Sequence, residues 1–221
     1  MQELLRQEEL EDGQNREEPL MECIGDHDLT CDDGEAQYAN ISSTDHNHLI
    51  LKNDYFYAHK IMRLNYTTYD VRRAQDIIHT GTSQCNVMVI SSDTLDTTVP
   101  ESQRFRYAKV LGIYHANVVY TGSGMRDYQP RRLDFLWVRW YEHVDQPAGW
   151  AERRLDQVYF PPVAGPESFG FLDPAYALRA CHIIPALAQG KVHSDRIGIS
   201  RCAEDHQDWR RFYIDRYCTS L

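Results

Sequence analysis

Cys181, His182, His193, Cys202 and His206 are the side chains of this sequence best suited to hold a metal ion, since thiolate and imidazole are the usual zinc ligands. A structural zinc site draws four such groups together at about 2 Å, and its sequence trace is two tight pairs. Only Cys202 and His206 stand at a pair-like spacing, while Cys181 and His182, as neighbours on a strand, would point to opposite faces. The pattern points to buried thiols and ordinary polar histidines, so neither a metal nor another cofactor is expected. Nucleophilic catalysis leaves no better trace. There is no G-x-S-x-G elbow, no glycine-rich phosphate loop with its lysine and no H-E-x-x-H pair. Asp70, Asp76, Asp134 and Asp173 are available for two-metal chemistry, but turn or cap roles explain each equally well. No catalytic residue is assigned.

Aromatic and arginine side chains are more informative. Tyr107, Tyr114, Trp137 and Trp140 crowd, with Tyr141, into one stretch. At the open rim of a small barrel such rings form a cage for a methylated ammonium or a platform for a base. These four are the candidate partner-binding residues, and at least two of them are expected to be buried. Arg126, Arg131 and Arg132, together with Arg72 and Arg73, carry planar forks suited to phosphate and form an alternative, nucleic-acid surface. Binding through them would weaken steeply with salt as counterions are released.

The element that must position these residues is a hairpin from Phe105 to Tyr141. FRYAKVLGIYHANVVY is a long run of β-branched, aromatic and aliphatic residues, which suits a pleated surface. In the second run Leu133, Phe135, Trp137, Arg139 and Tyr141 alternate with Asp134, Leu136, Val138, Trp140 and Glu142, so apolar side chains occur on both faces. Such a strand belongs in a barrel or a covered sheet. Between the runs, Gly122, Gly124, Asp127 and Pro130 provide a long turn.

The 221 residues suffice for one domain with a sizeable core. The formal net charge of −10 is concentrated at the start. Met1 to Glu35 holds 13 acidic residues against Arg6 and Arg16, leaving 20 acidic and 21 basic residues for the rest. The remainder therefore has no strong long-range field for or against an anionic partner. Residues 1–45 read as an acidic, disordered leader, and residues 46–221 as a single β-rich domain. No run of about 18 apolar residues is present, so no membrane span is expected. The acidic start is unlike a secretory signal, which places the chain inside the cell, and its six cysteines are read as free thiols.

Along the chain, strands are expected before Tyr66, and Thr68 caps one or two helical turns over TTYDVRRAQDII. Cys85 to Ser92 has strand length, and Trp150 to Phe160 is open between helix and strand. Asp173 and Pro174 start a short helical turn before a strand at Arg179 to Ile184. Lys191 to Ser200 reads as a loop. Trp209, Phe212, Tyr213 and Tyr217 form the stripe of a C-terminal amphipathic helix, capped by Asp205.

NYTTYDVRRAQD, RYAKVLGIYHANVVYTGSGMRDYQPRRLDFLWVRWYEH, FGFLDPAYALRACHIIPAL and ISRCAEDHQDWRRFYIDRY resemble the C-terminal region of Plavaka-type transposases and related proteins of basidiomycete fungi. The resemblance spans roughly His48 to Tyr217. It implies an accessory region without the RNase H-like catalytic core, ending soon after IDRY where relatives continue. YAKVLGIYH, FLWVRWYE and LRACHIIP also resemble the strand order of bromo-adjacent homology (BAH) domains and other SH3-like barrels. Together these imply a mainly β, α+β fold, a partly open SH3-like or BAH-like barrel with short helices. The implied function is non-catalytic binding of a chromatin or nuclear protein, in the nucleus. The alternatives are direct nucleic-acid binding and an unrecognised hydrolase.

Overall fold

The computed structural model describes residues 21–23, 48–54, 56–67, 72–91, 104–122, 127–145 and 155–215. The leader read as disordered, the Thr68 cap, Arg126 and Trp150 lie outside the described residues, except that Met21–Cys23 forms a strand. The strands are β1 (Met21–Cys23), β2 (Leu49–Leu51), β3 (Tyr57–His59), β4 (Ile61–Thr67), β5 (Arg73–His79), β6 (Asn86–Ile90), β7 (Phe105–Tyr120), β8 (Arg131–Trp140), β9 (Glu142–His143), β10 (Gln157–Tyr159), β11 (Phe169–Leu172), β12 (Ala177–Ala180), β13 (His182–Pro185) and β14 (Phe212–Asp215). Among the described residues, strand at 54% against 9% helical makes the fold mainly β.

The hairpin read from the sequence is present as β7 and β8, and β7 is the spine of the largest sheet. Along one side it pairs with β8; along the other it pairs in succession with β6, β3 and β2. The sheet runs β11-β8-β7-β6-β12. Leu111 is an extra residue between Val110 and Gly112, so β7 changes the parity of its inward side chains there. Ala108 and Val110 before this bulge and Ile113 after it all enter one core.

Both faces of the hairpin are covered, as its two-sided apolar pattern requires, but by different sheets. On the first face, Met62 and Leu64 of β4 and Ile78 of β5 pack on Val87, Val110, Leu136 and Val138. This hairpin is clamped at its rim by the buried Asp76, which accepts from Arg179 Nε at 2.7 Å and the Ala180 amide at 2.9 Å. Asp76 therefore serves neither a turn nor a cap. On the second face, the β13-β14-β10-β9 sheet packs Val158, Ile183, Phe212 and Ile214 against Tyr107 and Tyr141.

The described strands form no closed barrel, the largest sheet ending on β11 at one margin and β12 at the other. Several other expectations are corrected. The C-terminal amphipathic helix is not formed among the described residues, which end at Asp215 and leave Tyr217 outside. Asp205–Gln207 is a single 3-10 turn, and Phe212–Asp215 is β14, laddered between β13 and β10. Phe212 and Ile214 alternate with Tyr213 and Asp215, and two waiting ladder partners outweigh a helical stripe of four aromatics. VRRAQDII is likewise strand and not helix where described, with β5 paired along all of β4. The single strand at Arg179 to Ile184 is two strands broken at the buried Cys181, and β10 resolves the open choice before Phe160 as strand. Asp173 does cap the turn at Pro174–Tyr176, accepting from the Ala175 amide.

Asp205 caps no helix but fastens the preceding loop, accepting from the Ile199 and Ser200 amides at 2.8 and 2.9 Å. Burial, the largest influence, would raise its carboxyl pKa. The two amides, with His193 and Arg139, hold it below the ordinary carboxylate value. Its stabilising contribution is thus present above that ordinary value and is lost as pH falls through the lower folded one. Gly198 lies flat against this carboxylate, where a Cβ would also meet the His206 amide nitrogen at 2.7 Å. Gly198→Ala is expected to destabilise the fold by about 1–3 kcal/mol in urea unfolding, whereas Ala at the exposed Ile197 changes little.

Candidate functional site

The third sheet covers only the Tyr107 and Tyr141 end of the second face. Further along β8, the side chains that share this face are Trp137, Phe135 and Leu133, and on β11 the partners in register are Phe169 opposite Arg139 and Phe171 opposite Trp137. From β7, Tyr114 stands opposite Phe135. Phe56 joins from the segment before β3. The result is a contiguous aromatic surface in which Phe171 is 74% exposed, Phe56 48% and Leu133 48%.

Phe135 is its centre. Phe56 meets it edge-on at 5.5 Å and 83°, Phe171 edge-on at 5.7 Å and 80°, and Tyr114 stacks on it at 5.6 Å and 27°. Trp137 and Phe169 continue the surface at 6.1 Å. Each such pair is worth about 0.5–1.5 kcal/mol beyond its buried area, so the rings are held in place before any partner arrives. An ammonium cage needs ring faces around a vacant centre; here the Phe135 ring fills that centre. The geometry suits apolar side chains laid across the surface rather than a methylated ammonium. Gly112 is part of the construction, since a Cβ there would run into the Tyr114 ring.

Of the four aromatic residues singled out from sequence, two share this surface, Tyr114 and Trp137, both half-buried. Tyr107 is fully buried in the second core. Trp140 points to the other face, partly buried against the first core, with the Arg106 guanidinium 4.3 Å from its ring centre. One of the four is therefore buried where at least two were expected. Phe56, Phe135, Phe169 and Phe171 were missed. The F-G-F of β11 and the alternation of β8 carried the signal, but only the sheet order puts them side by side.

The arginines do not converge. Arg131 and Arg132 are exposed at the start of β8, where Arg132 pairs with Asp134 at 2.9 Å and Arg131 lies 4.0 Å from Asp127. Arg72 and Arg73 are exposed at the start of β5. Through β12 and β6, Asp76, three residues beyond Arg73, stands level with Ala108 of β7, whereas Arg132 stands level with Asn117. At about 3.3 Å per strand residue the two pairs are roughly 20 Å or more apart.

Among the described residues no group of three or more His, Cys, Asp or Glu side chains is placed so that it could hold a metal ion. Cys85, Cys181 and Cys202 are free thiols. Burial, then Cys85 and Asp76, pushes the Cys181 thiol up to about 12, which leaves it inert as a nucleophile near neutral pH. No described helix is long and apolar enough to cross a membrane. Comparison of the chain with protein-family models, with curated proteins and with solved structures gives no match in any of the three.

Proposed function

We propose that this chain is a non-catalytic interaction module whose aromatic surface docks a nuclear protein partner, with chromatin as the setting. The observation that carries this reading is the pre-packed array of Phe56, Tyr114, Phe135, Trp137, Phe169 and Phe171 on the part of the second face that the β13-β14-β10-β9 sheet leaves uncovered. Large exposed apolar patches of this kind mark interaction sites, and aromatic residues dominate the energetics of such contacts. The nuclear and chromatin assignment rests on the sequence resemblance to Plavaka-type transposase tails and to BAH or SH3-like modules. Binding through Arg131 and Arg132 is the weaker reading, because both have carboxylate neighbours.

The test is titration of the full chain against reconstituted nucleosomes and bare duplex DNA from low to physiological salt. Nucleosomes are expected to bind more tightly than DNA and with a shallower salt slope. The Phe135→Ala/Phe171→Ala double variant should lose about tenfold or more in affinity. Gly112→Ala should weaken binding similarly by turning the Tyr114 ring off Phe135, while the Arg131→Gln/Arg132→Gln variant binds as the parent does. Equal, salt-steep binding to DNA and nucleosomes, lost with the arginines and kept without the phenylalanines, would overturn the reading, as would no binding to either.

A further inference from the structure

A second feature lies away from the aromatic surface. The β5–β6 turn, the bulge of β7 and the turn at 201–204 enclose an open cleft of about 440 Å³. Its lining includes Thr80, Ser83, Lys109, Arg201, Cys202 and Glu204. That volume is within the range of small-molecule sites, about 300–1,000 Å³.

Two backbone irregularities meet here. The register shift of β7 falls at Leu111 and Val110, both in the cleft wall, and bulges recur beside functional sites because they re-aim neighbouring side chains. Glu204 is held in the left-handed region at φ 52°, a conformation strained for a non-glycine residue. Its carboxylate thereby reaches Lys109, yet only at 3.8 Å, too long for a hydrogen-bonded pair. Arg201 has no carboxylate partner among the described residues, and the Thr80 and Ser83 hydroxyls donate to no described acceptor. Two cations and two hydroxyl donors therefore face one shared space containing a single loosely held carboxylate.

We propose that this cleft binds a small phosphate-bearing anion between Lys109 and Arg201, with Thr80 and Ser83 donating to its oxygens and Glu204 swinging away from Lys109 as it enters. Phosphate matches the array because it offers several acceptor oxygens to a guanidinium fork and an ammonium together. Glu204 acts as a stand-in counter-ion beside Lys109, so it competes with the ligand.

Cys202, exposed in the cleft wall, reports occupancy. The full chain is alkylated with iodoacetamide near neutral pH, at ionic strength held constant with sodium chloride, and modification of Cys202 is followed by peptide mass. Pyrophosphate and inorganic phosphate are the probes, with acetate as control. Saturating pyrophosphate should slow alkylation of Cys202 several-fold while acetate does not. Arg201→Gln and Lys109→Gln should each weaken protection about tenfold or more, and Glu204→Gln should tighten it. Arg201 is an exposed turn residue, so its variant keeps the test valid should Lys109→Gln fold poorly. Absence of protection by pyrophosphate, equal protection by acetate, or undiminished protection in Arg201→Gln would each overturn the proposal.

Discussion

Replacing Arg139 with methionine is expected to cost about 3–5 kcal/mol of folding stability, the largest loss from any charged position described here. Arg139 is 1% exposed, lies on the second face of β8 and binds Asp208 through two bonds, at 3.1 and 2.7 Å. Its guanidinium also stacks 3.9 Å above the Phe160 ring. Asp208 precedes β14, so this pair ties the last sheet to the hairpin. Removing the arginine leaves a carboxylate buried without its counter-ion. Burial already pushes the Asp208 carboxyl above its ordinary value, with the Arg139 bonds and charge pulling it down; losing Arg139 raises it further. A carboxyl raised in the folded state favours folding below its ordinary value, and that contribution is lost as pH rises through the folded value. The penalty of Arg139→Met is therefore expected to be greatest at neutral pH and to shrink on mild acidification, read from urea midpoints at both. A loss that is the same at both pH values would contradict this account. Arg139 Nε has no acceptor among the described residues, so the native pair is itself incompletely satisfied. Arg139→Met/Asp208→Leu should for that reason recover much of the loss, since replacing both partners by apolar groups removes the orphaned charge.

Leu136→Ala is the second large effect, at about 2–5 kcal/mol. Leu136 is 0% exposed and sits where the β4–β5 hairpin packs on β8, opposite Ile113 and beside Leu172 of β11. Its removal leaves a cavity walled by strands of two sheets, which cannot close without moving a ladder. Leu133→Ala, on the same strand but 48% exposed, is the internal control and should cost well under 1 kcal/mol. A comparable loss at both positions would mean that the β8 register is misread. The same variants separate stability from binding: Leu136→Ala should lower the unfolding midpoint without weakening partner affinity once folded, and Phe171→Ala should do the reverse.

The hairpin was legible in the sequence because a strand covered on both sides must carry apolar residues at both parities, and few other elements read that way. Leu136, Val138 and Trp140 on one face, and Arg139 and Tyr141 on the other, stand where alternation puts them. The Asp173 and Pro174 start signal was legible because capping is local chemistry. The end of the chain was not. Trp209, Phe212, Tyr213 and Tyr217 fit a helical stripe as well as FYID fits a strand, and the choice belongs to β13 and β10, which are 27 or more positions earlier.

For the surface, sequence alone determined that aromatic side chains gather on β7 and β8, that no metal or nucleophile motif is present, and that the acidity belongs to the first 35 residues. Which rings meet solvent was decided only by the tertiary structure. The third sheet covers the Tyr107 and Tyr141 end of one face and stops short of Phe135 and Trp137, β11 brings Phe169 and Phe171 alongside them, and the bulge at Leu111 sets which β7 residues share that face. Alternation assigns a side chain to one of two faces, but whether that face is buried depends on strands far away in the chain, which local pattern does not encode.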